Sequence, residues 1–497
     1  MPLRIGTPEQ FRTLRGILQD AGFREEAIST RTGTPTIFEF KTIKEERETG
    51  IETHDALDAL IRLLMDGETL DPAAAALLPN GALESLEALD VTRRAPDGAG
   101  WYATVALYPV AGLYAASDRS FPPPGYPSGL PTDVVYAAIT SNTGHFLSAV
   151  PQDPCDAFLD ICAGTGIAAM VAGARFARHA WAADLGARSV HFADFNRRLN
   201  GLDNVQSVQG DLYEAIGDMT FDRIVAHPPY IPAKNSNMLF RDGGEDGEQI
   251  LARIVQGLPD HLRPGGRFTC VTVGTDRKGE TFEQRIRRWL GAAGEEFDIF
   301  LVAAEFQRRP EKFVESVLRA KGRMGQLSET TQLYERLKVT GIFYGVCVVE
   351  RRTSARQPVT ARATKATNAA GSVVEWFRRF ESTAAEPGFP SLLLNSRPRL
   401  ARTMSLLVAH LPVDGVLTAS RFEARASYPL VTEATVEPWV AFLLGACDGT
   451  RTGIELFTIL KSQEAIDPAM PAEDFAGVLR ILLAGGLLEI EEFALPK

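Results

Sequence analysis

Apolar residues recur at helical spacing through the first hundred positions. Phe11, Leu14, Ile17 and Leu18 do so within 9–21, Leu57, Leu60 and Leu64 within 56–65, and Leu83, Leu86 and Leu89 within 70–95. A strand-like stretch at 101–108 follows. Helices leading into a short β-wing predict a mainly helical, winged-helix-like domain over 1–120. The proline-rich run from Phe121 to Gly129 reads as a turn or linker. Beyond it, short apolar runs alternate with helical stretches, which predicts an α/β domain over 130–352 with a parallel sheet and crossover helices. Seven strands are expected, at 157–161, 179–183, 205–209, 223–226, 267–273, 298–303 and 341–349, the last two forming a hairpin edge. Residues 353–372 are polar, poor in bulky side chains, and read as a linker. The amphipathic stretches 439–445, 453–460 and 475–488 predict a second mainly helical, winged-helix-like domain over 373–497.

A chain of 497 residues is long enough for roughly two to four domains. With 45% hydrophobic and 23% charged residues it has the balance of an ordinary soluble globular protein. No apolar run reaches the roughly 18 residues needed to span a bilayer, and no basic-then-apolar leader is visible. The five cysteines include no Cys-x-x-Cys pair, which argues against a zinc site or a disulfide framework. A cytoplasmic protein without membrane association is the expectation, and no metal is called for. The net charge of −11 disfavours blanket binding along nucleic acid. That charge is uneven, because residues 277–365 hold eighteen Lys or Arg against eleven Asp or Glu. Phosphate contacts from this stretch and a solvated helix face are equally good readings of it.

The densest chemical signal begins at the first expected strand of the α/β region, which ends in Asp160 and runs into Cys162, Ala163, Gly164, Thr165 and Gly166 before an alanine-rich helix. Glycines let the backbone turn sharply and let a ligand approach it closely, and the helix start offers free N–H groups. Such a turn lies where doubly wound sheets bind ligands. A dinucleotide fold prefers a third glycine where Ala169 stands, and an anionic strand end would repel a pyrophosphate. It suits the amino group of an amino-acid cofactor, which points toward S-adenosylmethionine. Asp184 ends the second strand at the spacing of a ribose-binding acid, the alternative being a helix cap. Asp211 follows the third strand, where it would reach an adenine amino group or cap the next helical turn. The fourth strand runs into His227, Pro228, Pro229 and Tyr230. Two prolines stiffen the chain and leave carbonyls free to accept, and Tyr230 offers a flat face to a planar acceptor.

On these motifs the stretch 153–275 resembles the class I S-adenosylmethionine-dependent methyltransferases. More narrowly, it resembles the methyltransferase small domain group, which includes release-factor glutamine N5-methyltransferases and adenine-N6 enzymes. The resemblance implies a Rossmann-like seven-stranded core, with Asp160, Ala163, Gly164, Thr165, Gly166, Asp184, Leu185, Asp211, Leu212 and His227 at the cofactor. It also implies that His227, Pro228, Pro229 and Tyr230 hold the methyl acceptor. Two positions depart from the family pattern: Cys162 replaces a glycine, and His227 replaces the asparagine of Asn-Pro-Pro-Tyr. An amide presents its acceptor and donor side by side, whereas an imidazole points them apart. His145, just upstream of the first strand, is a second histidine able to face the pocket, behind His227.

The expected function is methyl transfer from S-adenosylmethionine to a planar nitrogen of a macromolecule. The segment from Arg241 to Glu248 favours a protein glutamine and the basic stretch a nucleic-acid base. A small-molecule methyltransferase and a non-catalytic S-adenosylmethionine-binding scaffold are the alternatives.

Overall fold

The structure is a computed structural model that describes residues 3–41, 51–119, 131–232, 241–308, 311, 315, 319, 327–367, 369 and 371–495. The proline-rich run from Phe121 to Gly129 lies outside the described residues, as do several basic positions of 277–365, Arg309, Lys312, Lys321 and Arg323 among them. Two compact units divide the chain, Met1–Val271 and Thr272–Lys497.

The core is an eight-stranded sheet of β1 (Cys155–Ile161), β2 (Ala177–Asp184), β3 (Val205–Gln209), β4 (Phe221–Ala226), β5 (Leu262–Arg277), β6 (Phe297–Gln307), β7 (Val339–Arg351) and β8 (Thr360–Thr364). Their order across the sheet is β8-β6-β7-β5-β4-β1-β2-β3. The strands β3, β2, β1, β4 and β5 run parallel, whereas β7 is antiparallel to β6. All seven expected strands are present within these bounds. The eighth corrects the reading of 353–372 as a plain linker and of β6–β7 as the sheet edge, because β8 pairs in parallel with β6. What the composition concealed is that this short run of small and polar residues is held by its neighbours. Asp298 accepts from the Val359 N–H and is paired with Arg356, while Arg362 is paired with Asp276 and Glu283.

Register decides where the loops emerge. Ile161 lies beside both Ala183 and Ala226, so β1, β2 and β4 end in one row. Since β1 sits between β2 and β4, chain direction across the sheet reverses there and opens a crevice. Four helices matter to it: α1 (Ser141–Ala149), α2 (Ile167–Arg175), α3 (Ala187–Asn200) and α4 (Gln249–His261).

The N-terminal helices lie at Pro8–Asp20, Glu25–Thr32, Ala56–Leu60 and Ala82–Ala88, followed by two short antiparallel strand pairs. The expected strand at 101–108 is split between these pairs, as Trp101–Ala103 and Ala106–Val110. Their apolar stripes do not close a core alone. Phe11, Leu14 and Leu18 belong to one buried cluster with Ile167, Met170, Phe192, Phe195 and Leu199 of α2 and α3. Phe11 meets Phe195 edge-on, with centroids 5.1 Å apart.

In the second unit the three expected amphipathic stretches form the helices Pro438–Ala446, Gly453–Ser462 and Ala472–Ala484, preceded by Ser372–Ala384 and Phe389–Asn395. A three-stranded antiparallel sheet, β9 (Met404–Val413), β10 (Val416–Ala426) and β11 (Thr432–Val436), adds to the helices that the sequence pattern indicated. No helix among the described residues is long and apolar enough to cross a membrane.

Candidate functional site

The loop after β1 turns through three left-handed residues, Cys162 (φ 60°), Gly164 (φ 55°) and Gly166 (φ 76°). Glycine takes this conformation freely, whereas a side chain costs roughly 1–2 kcal/mol, so Cys162 stores strain at this turn. At Gly166 a Cβ would stand 2.9 Å from the Ala193 Cβ, which makes glycine obligatory where α2 passes α3. At Gly164 a Cβ would meet nothing within 4 Å, so this backbone borders open space. Ala163 and Thr165 are buried, and the Ala163 N–H donates to Ala183 O across the sheet.

Asp160 is 2% exposed, and its Oδ2 accepts from the Ala169 N–H at 3.4 Å. Burial, with a smaller push from Asp184, raises its pKa to about 8 despite that bond. Asp184 accepts from the Gly164 N–H through Oδ2 and from the Gly186 N–H through Oδ1, both at 2.9 Å. Burial raises its pKa as well. Asp184 thus braces the glycine turn and the start of α3 at once, and it accepts from the Ser189 side chain as well. Leu185 beside it is exposed. Asp211 does not cap the turn at Leu212–Ala215; its carboxylate is paired with Arg253 of α4 at 2.9 Å. Leu212 takes a left-handed φ of 55° as the chain bends there.

After β4, His227 stands between two rings, Phe146 of α1 at 5.4 Å and Tyr230 at 6.0 Å. The protein packed around it lowers its pKa to about 4, with a second contribution from His145, so the imidazole is neutral at physiological pH. Pro228 is buried, Pro229 and Tyr230 are half-buried, and the Tyr230 hydroxyl accepts from the Asn142 amide of α1 at 3.2 Å. Ile231 then exchanges backbone bonds with Arg241 and Gly243, which returns the 241–248 segment to this loop. Close approach is needed there, since a Cβ on Gly247 would stand 2.7 Å from Tyr230 O.

Sequence reasoning missed three supporting residues. Asn142 and Phe146 brace the loop after β4 from a helix that carries no motif. Asn196, fully buried on α3, donates to Thr165 O and Ala116 O and accepts from the Ala116 N–H at 2.7 Å. It therefore ties the N-terminal strand pair to the glycine turn. The visible signal was two asparagines one helical turn apart, since Asn200 serves Tyr114 in the same way.

Where it is described, the basic stretch is divided: Lys278, Arg288, Arg308, Arg319, Arg336 and Lys338 are exposed, and others turn inward. Arg285 is buried against Thr275, Arg287 bonds Gly294 O and Phe297 O, and Arg351 pairs with Glu296. A separate open groove, lined by Asp156, Arg175, Arg178 and Asp222 among others, lies at the opposite ends of β1, β2 and β4 from the motif loops.

The family model of the methyltransferase small domain matches residues 135–294, which encloses every element of this crevice. Over 159 residues the chain is 31% identical to a ribosomal protein uL3 glutamine methyltransferase of Bradyrhizobium diazoefficiens, covering 29% of this chain and 50% of that one. It is 35% identical over 123 residues to a release factor glutamine methyltransferase of Geobacter sulfurreducens, covering 22% and 43%. The chain thus spans half or less of the length of these relatives. Among solved structures, it is similar to a ribosomal protein L11 methylase of Lactobacillus delbrueckii at 18% identity and a TM-score of 0.26, covering 43% of this chain and 81% of that one. The glycine turn, the strand-end acids and the Pro-Pro-Tyr loop all fall within the residues that match the methyltransferase small domain.

Proposed function

We propose that this chain is a S-adenosylmethionine-dependent N-methyltransferase that acts on a protein, with a glutamine side-chain amide as the acceptor. The observation that carries it is the row of chain ends at β1, β2 and β4, which sets a glycine turn, an acid and a Pro-Pro-Tyr loop side by side. The residues fit the cofactor: open space at Gly164, a buried acid at Asp160 for an ammonium group, and a remaining acceptor position on Asp184 for a ribose hydroxyl. Asp211 and Leu212 would meet the adenine, and Leu185 would cover it. When bound, the cofactor supplies an electrophilic methyl group on a sulfonium.

This chain's residues have to orient the acceptor. Pro228 carbonyl oxygen accepts from the target N–H, and neutral His227 accepts a second bond or holds the amide oxygen, according to its tautomer. Tyr230, steadied by Asn142, bounds the planar group on one side. Such positioning is able to supply roughly 7–11 kcal/mol of a barrier. With a pKa near 4, His227 is a weak base, which favours an orienting role over proton abstraction.

The protein acceptor is supported by the glutamine methyltransferases among the relatives. The inward turn of Arg285, Arg287 and Arg351 removes part of the support for nucleic acid. Isothermal titration with S-adenosylhomocysteine, followed by labelled-methyl transfer into cell extract, tests the proposal. The expected result is binding, and label that survives nuclease, is lost to protease and maps to glutamine. Absence of binding would sink the methyltransferase reading; label in nucleic acid or in small molecules would sink the protein acceptor.

A further inference from the structure

The ribbon formed by β9 and β10 leaves the second unit as a two-stranded arm. Only residues 422–426 of β10 gain a third strand, from β11. Beyond that base, cross-strand pairs run from Ala409↔Arg421 to Val413↔Val416 with a bulge between Ala409 and His410. Cross-strand partners share a face, so Leu411 and Thr418 lie with Val413 and Val416 on one side. Leu417 and Pro412 lie on the other, which is also the side of Leu406 and Val408. Leu406, Leu407, Val408, Leu411, Val413, Val416 and Leu417 are each 37–70% exposed.

An isolated hairpin is marginal in water, and one with apolar residues on both faces gains nothing from solvent. These seven side chains leave on the order of 600 Å² of apolar surface uncovered, the upper end of what a monomer carries. From residue 404 to 420 the arm carries no Lys or Arg, and its ionisable side chains are His410 and Asp414 at its tip. A nucleic acid or an anionic membrane therefore finds no Lys or Arg to meet it here, and what matches this ribbon is an apolar surface, which a second copy of the chain carries.

We propose that this arm is a homodimerisation device, gripped on both faces by a second copy of the chain in reciprocal exchange. Two arms together bury on the order of 1,200 Å², past the ~1,000 Å² of a specific interface. The edges are guarded where the faces are not. Pro412 lacks a donor and the bulge bends the ribbon, which discourages edge-to-edge addition and favours a closed pair over an open polymer.

Light scattering coupled to gel filtration and analytical ultracentrifugation of the full chain, over a hundredfold concentration range, tests this. The wild type is expected at two chain masses and the Leu411→Ser/Val416→Ser variant at one, with unchanged circular dichroism and a melting temperature that no longer rises with concentration. Should that pair disturb the fold, Thr418→Glu, which places a charge on the same exposed face, is expected to halve the mass instead. A wild type that stays at one chain mass overturns the proposal, whether or not its arm binds neutral lipid vesicles. So does a folded variant that remains at two.

Discussion

Asp160 is legible in the sequence as a strand-end acid, but its protonation state is not. Its pKa near 8 comes from burial, which no local pattern encodes. An arriving ammonium favours the ionised form, so ligand binding releases a proton and affinity rises with pH up to about 8, by at most about tenfold per unit. Titrating S-adenosylhomocysteine between pH 6 and 8.5, in buffers of different ionisation enthalpy, reads both the slope and the proton. Asp160→Asn is expected to bind more weakly and without that slope. The stability sign is opposite. A raised carboxyl pKa makes the folded state lose stability as pH climbs from 3.8 through 8, so ligand-free Asp160→Asn melts above wild type at pH 8 and the gap closes near pH 4. His227 shifts the other way: its lowered pKa leaves folding unaffected above 6.5 and costs stability as pH falls toward 4. Removing its hydrogen bond in His227→Ala is expected to lower kcat roughly tenfold, from about 1–1.5 kcal/mol, without adding a titration between pH 6 and 8. His227→Asn restores a side-by-side donor and acceptor and is expected to keep or raise activity on a glutamine acceptor; steady-state rates of the two variants check both expectations.

At the scale of elements, strands β1 to β7 follow from short apolar runs between turn residues, because a strand buried on both faces of a sheet must be apolar along its length. The strand β8 escaped because its place is set by ion pairs from other elements, with Arg362 held between Asp276 and Glu283. The glycine turn was visible, but its support from Asn196 was not, since a buried asparagine on a helix looks like any polar residue in a sequence. Replacing Asn196 by Leu leaves the Ala116 N–H and two carbonyls without this partner. That is expected to cost at least ~2 kcal/mol and to weaken S-adenosylhomocysteine binding. Asn196→Asp, which keeps only the bond from Ala116, is expected to fall between; urea denaturation and titration calorimetry measure the two effects.

Across the whole molecule, the −11 charge concealed a basic stretch, 277–365, that read equally well as phosphate contacts or as a solvated helix face. Folding spends part of that charge on internal pairs, such as Arg351 with Glu296 and Arg356 with Asp298. The full chain is therefore expected to bind RNA or DNA no tighter than the roughly 10⁻⁴–10⁻⁶ M of non-specific contact at physiological salt. Fluorescence anisotropy across a salt series decides it, and a steep salt slope with tighter binding would contradict the assignment. The N-terminal helices, too, are more than an appendage: Phe11, Leu14 and Leu18 complete the core around α2 and α3.

The sequence by itself determined the α/β class, the seven strands and which residues stand in the loops after them, because strand periodicity, glycine turns and strand-end acids are local properties. Only the tertiary structure decided which ends stand in one row, that His227 is neutral between Phe146 and Tyr230, and that β8 and Asn196 belong to the core. It also decided that the ribbon of β9 and β10 keeps its apolar faces in solvent. Burial, register and the pairing of distant charges depend on residues far apart in the chain, and no window along the sequence contains them.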